Sequence, residues 1–305
     1  MTIRYDRPVS HAAYLSCRLG QFSFLLFVVV LVAHRFGLMI TPYFVALVLL
    51  SVAFAALAIL FAAVGLMRLW QVAAKGGGAA VKGLVYALPP LLLFGLAGYD
   101  YLRYPPIYDI STDVIDAPPW LEPSTVDQLW LQRPAEVGPE DREAQMLAYP
   151  ALTGRRYDGA LDRVYQAVSK VAHQQRIVIV KTEGVEKTEA DIGDLPAKQE
   201  AKEGDDEAVA DTLDNVPVPL PRPEQEEEAP LFGRDSDVLL QGEIRTLVLG
   251  LRFDAAIRLR EEAETTLVDI RIASRYGPHD LGMGADLAES YLKALDAELL
   301  GIAGD

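Results

Sequence analysis

Few residues in this chain have the type and spacing that chemistry needs. His279 and Asp280 are adjacent, with Arg275 shortly before them, in a segment that reads as a loop entering a helix. A His–Asp pair of that kind can move protons, and a nearby arginine can hold an anion. The competing reading is a structural turn in which Asp280 caps the helix near Gly282. The other histidines offer less. His11 and His34 lie at apolar segments, and His173 ends a helix, where a cation suits the dipole. There is no His-Glu-x-x-His, Gly-x-Ser-x-Gly or Cys-x-x-Cys, and no Gly-x-Gly-x-x-Gly after a strand. The single cysteine, Cys17, makes neither an intrachain disulfide nor a zinc site. Gly76-Gly77-Gly78 between Lys75 and Lys82 lacks the Gly-Lys-Ser/Thr ending of a phosphate loop and reads as a connector. No metal and no cofactor is expected.

A second set of charges is more numerous. Arg245, Arg252, Arg258, Arg260, Arg271 and Arg275 fall in or beside three alternating strands. Such a face could bind phosphate or lipid headgroups. Glu243, Asp254, Glu261, Glu262, Glu264 and Asp269 share the same strands and turns, so cross-strand ion pairing is the simpler expectation.

These residues must be positioned by a small α+β unit. Residues 157–172 carry Leu161, Val164, Tyr165, Val168 and Val171 at helical spacing. Residues 176–181 hold Ile177-Val178-Ile179-Val180, expected as a strand buried on both faces. Alternation over 241–249, 252–260 and 265–275 gives strands with one apolar face each. A last helix over 285–300 turns Leu287, Tyr291, Leu295 and Leu299 to one side. The expected fold is an antiparallel sheet of four to five strands, covered on one face by two helices.

The chain of 305 residues is 51% hydrophobic with a formal charge of −15, but neither property is spread evenly. Residues 183–228 hold 16 Asp/Glu against 4 Lys/Arg. That acidity, with a proline-rich run at 217–223, marks residues 183–237 as a disordered acidic insertion. It could dock a basic or proline-recognising partner. The balance excludes a basic nucleic-acid binder. No charge occurs from Phe36 to Met67; a shorter apolar run at 19–33, extended through Leu38 if His34 and Arg35 reach the interface, precedes it, and another at 84–99 follows. Three transmembrane helices are therefore expected, with close approach favoured by the Ala-rich middle of the second. Arg4, Arg7, Arg18, Arg68, Lys75 and Lys82 on one side, against Arg35 and Arg103 on the other, put the N-terminus in the cytoplasm. The organisation is a membrane domain at 1–99, an irregular strap at 100–148 and an α+β domain at 149–305. The strap is expected to pack its aromatics onto that domain.

Three segments resemble a known family. Pro105-Pro106-Ile107-Tyr108-Asp109-Ile110-Ser111-Thr112-Asp113, Leu249-Gly250-Leu251-Arg252-Phe253-Asp254 leading into Ala256-Ile257-Arg258, and Val268 through Gly282 are similar to motifs of the domain-of-unknown-function family DUF1499. The likeness covers about 105–300, and the spans look like those of membrane-anchored bacterial members. The chain departs at Gly284, where the family commonly has Asn, and lacks the usual Arg around Ala285–Leu287. The resemblance implies the fold unit and no activity. It makes Ser111, Thr112, Asp113, Ser274, Arg275, His279, Asp280 and Gly282 the candidate polar cluster. The alternative reading of Asp109–Asp113 is a turn whose side chains cap backbone groups.

The expected role is a membrane-anchored extracytoplasmic binding or structural module of the cell envelope, at the inner membrane, with the bilayer and an envelope protein or lipid as partners. The balance leans away from an enzyme. Two alternatives stand beside it: an enzyme using His279, Asp280 and Arg275, and a lipid or envelope-precursor binder with an apolar cavity between helices and sheet.

Overall fold

The computed structural model describes residues 8–188 and 237–301. Most of the acidic insertion, which was expected to be disordered, lies outside the described residues.

Three long helices come first: α1 (His11–Arg35), α2 (Thr41–Val72) and α3 (Gly77–Arg103). Each is long and apolar enough to cross a membrane. α1 begins well before its apolar run and stops at Arg35, α2 continues past Met67 to Val72, and α3 overruns its apolar run at both ends. Small residues line their contacts. Ala55, Ala58 and Ala62 of α2 are fully buried, whereas Ala53, Ala56 and Ala63 face outward. Gly20 and Gly83 bring α1 and α3 together so closely that a Cβ on either would strike the other backbone. The hydroxyls of Ser16 and Ser23 donate to the carbonyls of Ala58 and Ser51 at 2.8 and 2.7 Å.

The remaining elements are β1 (Asp109–Ser111), α4 (Pro139–Ala148), β2 (Arg155–Asp158), α5 (Leu161–Gln174), β3 (Ile177–Glu183), β4 (Val238–Arg245), β5 (Arg252–Glu261), β6 (Thr265–Ser274) and α6 (Met283–Leu299). They build one antiparallel six-stranded sheet in the order β1-β6-β5-β4-β3, and β2 pairs with the other half of the outer edge of β6. The sheet therefore has six strands where four to five were expected. The two additional strands are three and four residues long, too short for alternation to show.

Alternation correctly gives the inward faces of β5 and β6. Phe253, Ala255, Ile257 and Leu259 pack with Val268, Ile270 and Ile272 beneath α5 and α6. Val164, Val168, Leu292 and Leu295 fill the space between helices and sheet. The apolar interior is thus packed with side chains where a lipid cavity was considered. β3 departs from its expectation. Ile177 is buried, but Val178 and Val180 are 65% and 63% exposed, because β3 is an edge strand. The helix expected from Tyr157 starts at Leu161 instead; Tyr157 sits in β2, and its hydroxyl donates to Asp296 of α6 at 2.7 Å.

Residues 104–138 cross the polar face of the sheet and lead into α4. That helix went unpredicted because Gln145 is its only buried residue, so it has no apolar stripe. Pro139 opens it, and the Asp141 carboxylate accepts the Gly138 amide at 2.9 Å. The Gln145 side-chain amide then pairs with both backbone groups of Ser111, giving β1 the partner that a further strand would supply.

Candidate functional site

Coverage of both faces changes the electrostatics of the sheet. Alternating charged residues suit a solvated face; under a strap they must find partners. Arg258 of β5 shows the result. Its side chain is 2% exposed and donates to Asp269 at 2.9 Å, Asp113 at 3.0 Å and Asp116 at 2.9 Å. Asp269 lies directly opposite on β6, whereas Asp113 and Asp116 come from the strap. Arg260 ties Asp116 to Asp237 at 3.1 and 3.0 Å. These two arginines hold the Asp116 carboxyl below its ordinary range, against the desolvation that would raise it.

A second network lies further along the same face. Arg271 grips Asp109 at 2.8 Å, and Arg142 of α4 reaches the same carboxylate at 3.2 Å. The Arg271 guanidinium also stacks on Trp120 of the strap at 4.9 Å. Arg275 pairs with Asp254 at 2.6 Å and Glu243 at 2.5 Å. Asp254 uses only Oδ1 for this; its Oδ2 is buried and has no hydrogen-bond partner among the described residues. At Glu122 the strap is fastened by Gln241, whose side-chain amide meets both the Glu122 amide and its carbonyl at 2.9 and 2.7 Å.

Between strap, α4 and sheet a cleft of about 740 Å³ opens. Tyr108, Trp120, Arg133, Arg142, Asp254 and Arg271 are among its walls. Arg133 spans one side, with its guanidinium 5.5 Å from the Tyr108 ring centre and a hydrogen bond to the Ser274 carbonyl. A smaller cavity of about 220 Å³ lies beyond strap residues Glu122–Ser124, and Asp254 borders both.

The sequence-derived candidates do not form one cluster. Thr112 donates to Asp269 at 3.0 Å and accepts the Ile270 amide; Asp113 serves Arg258 and a turn of its own. The Ser111 hydroxyl is buried and has no hydrogen-bond partner among the described residues. The Ser274 hydroxyl turns back onto the Tyr276 carbonyl at 2.9 Å. Asp280 accepts the amides of Gly282 and Gly284 at 2.8 and 2.9 Å, at the start of α6. Gly282 is left-handed there, with φ of 78°. Burial, moderated by those amides, raises the Asp280 carboxyl above its ordinary value. His279 uses both ring nitrogens. Nδ1 accepts the Leu281 amide at 2.9 Å, so Nε2 carries the proton and meets the carbonyls of Tyr101 and Tyr104 at 3.2 and 3.1 Å. No hydrogen bond or ion pair among the described residues joins His279 or Asp280 to Ser111, Ser274 or Arg275. None of the eight candidates lines the large cleft.

Of the residues that line it, Asp254 and Arg271 were read only as strand charges, and Tyr108, Trp120, Arg133 and Arg142 were missed as site residues because they are scattered through polar, proline-rich chain. The available signal was the acidic run Asp109, Asp113 and Asp116, which complements the strand arginines. Among the described residues no group of His, Cys, Asp or Glu could hold a metal ion.

Fold and cleft together define a class: an α+β sheet protein, strapped on its polar face and carried by three helices able to cross a membrane. The chain belongs to the family described as "Protein of unknown function (DUF1499)", whose profile matches residues 130–295, more than half of it. The match begins later than the resemblance at 105, and so leaves out the first part of the strap. No curated protein and no solved structure is significantly similar to the chain.

Proposed function

We propose that this chain is a binding module of the cell envelope. Its three helices cross the inner membrane with the N-terminus in the cytoplasm. The α+β domain stands on the outer side and takes a small polar ligand in the cleft beneath the strap. The cleft carries this reading, since its volume falls in the range of ligand sites. Its walls combine two aromatic rings with Arg133, Arg142 and Arg271 and the carboxylates of Asp109, Glu122, Glu136 and Asp254. Mixed charge of that kind fits a zwitterionic or hydroxyl-rich molecule better than a lipid tail. The orientation rests on the excess of Lys and Arg on the N-terminal side.

An enzyme built on His279, Asp280 and Arg275 is the weaker reading. Each of the three is already engaged by backbone or carboxylate partners. A proton-transferring group needs a free position toward its substrate.

Native mass spectrometry of the full chain, extracted from its own membrane, tests the binding reading. A retained small polar molecule is expected, and Trp120→Ala with Arg133→Ala should release it. No retained molecule, together with no thermal stabilisation by a polar metabolite extract, would sink the proposal. A periplasm-specific reporter fused after Asp305 should be active; activity of a cytoplasm-specific reporter alone would reverse the orientation.

A further inference from the structure

Four of the six strand arginines have carboxylate partners, as set out above. Arg245 and Arg252 have none among the described residues, and the reason is their position. They are opposed Cα partners on β4 and β5, a like-charge pair that destabilises a sheet unless something offsets it. The turn between them reaches the end of α1. There Arg245 Nη2 donates to the His34 carbonyl at 2.8 Å, and the Leu249 carbonyl meets His34 Nδ1 at 2.6 Å. A Cβ on Gly37 would lie 3.4 Å from Arg245 Nη2 and 3.8 Å from Arg252 Nη2, so both guanidinium groups converge on one point. Arg35 adjoins them, with its Cα 3.2 Å from where a Cβ on Gly250 would be. It too lacks a carboxylate partner among the described residues. Burial, and after it the neighbouring cations Arg252 and Arg35, lower the Arg245 guanidinium from its ordinary value.

Apolar side chains frame this cationic group. Phe36 and Leu38 are 74% and 83% exposed, and Leu247 and Val248 of the β4–β5 turn are 60% and 72% exposed. They lie in the two segments that meet here, the chain leaving α1 and the β4–β5 turn, whose Leu249 packs against the helices. Three uncompensated guanidinium groups beside an apolar rim, at the end of a membrane-crossing helix, match a lipid headgroup in charge and depth.

We propose that Arg35, Arg245 and Arg252 form a binding site for the phosphate of an anionic phospholipid, with Phe36, Leu38, Leu247 and Val248 set among the acyl chains. The lipid phosphate offsets the like-charge pair and fastens the β4–β5 turn to the membrane surface. This site is separate from the cleft, and either can fail without the other.

The test is thermal unfolding of the full chain in an uncharged detergent, with added phosphatidylglycerol, phosphatidylcholine or inorganic phosphate. Phosphatidylglycerol should raise the melting temperature; the other two should not. Arg252→Gln should bind phosphatidylglycerol about fivefold more weakly, the equivalent of one cation at a membrane surface. Without lipid the same variant should melt no lower than wild type, since it removes repulsion, which also shows that it folds. Arg156→Gln, on a surface arginine paired with Glu262, should respond to lipid like the wild type. Equal stabilisation by both lipids, or an unchanged response in Arg252→Gln, would overturn the proposal. An equal shift with inorganic phosphate would assign a free-anion site instead and overturn the lipid.

Discussion

Arg258 is the residue on which the polar face depends most. It meets three carboxylates, two of them brought by the strap. Replacing it with Met removes the cation paired with Asp269 and leaves that buried carboxylate without its ion-pair partner. Loss of one partner from such a network costs about 3–5 kcal/mol. Thermal unfolding of Arg258→Met should show a loss of that order, and a wild-type melting curve would contradict the account. Asp280 makes a subtler prediction. Its carboxyl is raised in the folded protein, so folding favours its protonated form. That contribution is complete below the unfolded value, about 3.9, and disappears as pH rises through the folded one. Wild type should therefore lose stability relative to Asp280→Asn as pH rises across that window. A constant difference between the two in a pH series of melting curves would refute it. At this scale the sequence was least legible. Side-chain type offered two readings of His279, Asp280 and Arg275, a reactive cluster or a helix cap beside cross-strand ion pairs, and only geometry decides between them: Asp280 accepts the amides of Gly282 and Gly284, and Arg275 pairs with Asp254 and Glu243.

At the scale of elements, legibility followed periodicity. β5 and β6 span ten residues each, long enough for one face to declare itself, and their inward residues were read correctly. β1, β2 and α4 were invisible for the opposite reasons given above: shortness, and the lack of an apolar stripe. The Ala-rich middle of α2 was legible as a packing surface, but a composition cannot say which alanines point inward. The contact between α1 and α3 was not anticipated at all, because Gly20 and Gly83 are far apart in sequence. It yields a prediction. A Cβ on Gly83 collides with the Ser16 backbone, so Gly83→Leu must separate the helices. Ser16 packs in the same contact, and its hydroxyl bond to the Ala58 carbonyl should be lost as well. Disulfide trapping between cysteines placed at Ser16 and Ala58 should form readily in the parent and poorly in the Leu variant. Equal trapping would show that the helices do not rely on that approach.

For the whole molecule, two hydrogen-bonded attachments among the described residues join the α+β unit to the helices. The β4–β5 turn meets the end of α1 at His34, and His279 meets the last carbonyls of α3 while its ring stacks on Tyr101 at 4.7 Å. His279→Ala removes two hydrogen-bonding nitrogens and the stacked ring. Hydrogen exchange should then quicken at Leu281, whose amide loses its acceptor, and in residues 104–108. Exchange in β5 should stay slow. Unchanged protection at Leu281 would argue against the attachment. The hairpin that brackets the acidic insertion has another consequence. Glu183 of β3 stands opposite Leu239 of β4, and Gly184 nearly touches the Asp237 backbone, so the two ends of the insertion are fixed side by side. Closing a loop costs only slowly more as it lengthens. Excising residues 190–235 and joining the ends with a short glycine turn should leave the melting temperature within a few degrees of wild type. By the same logic the tip is a socket: any compact domain whose own termini lie close together could be spliced there, and would be displayed at the sheet's far edge without entering the folding of the strands that hold it.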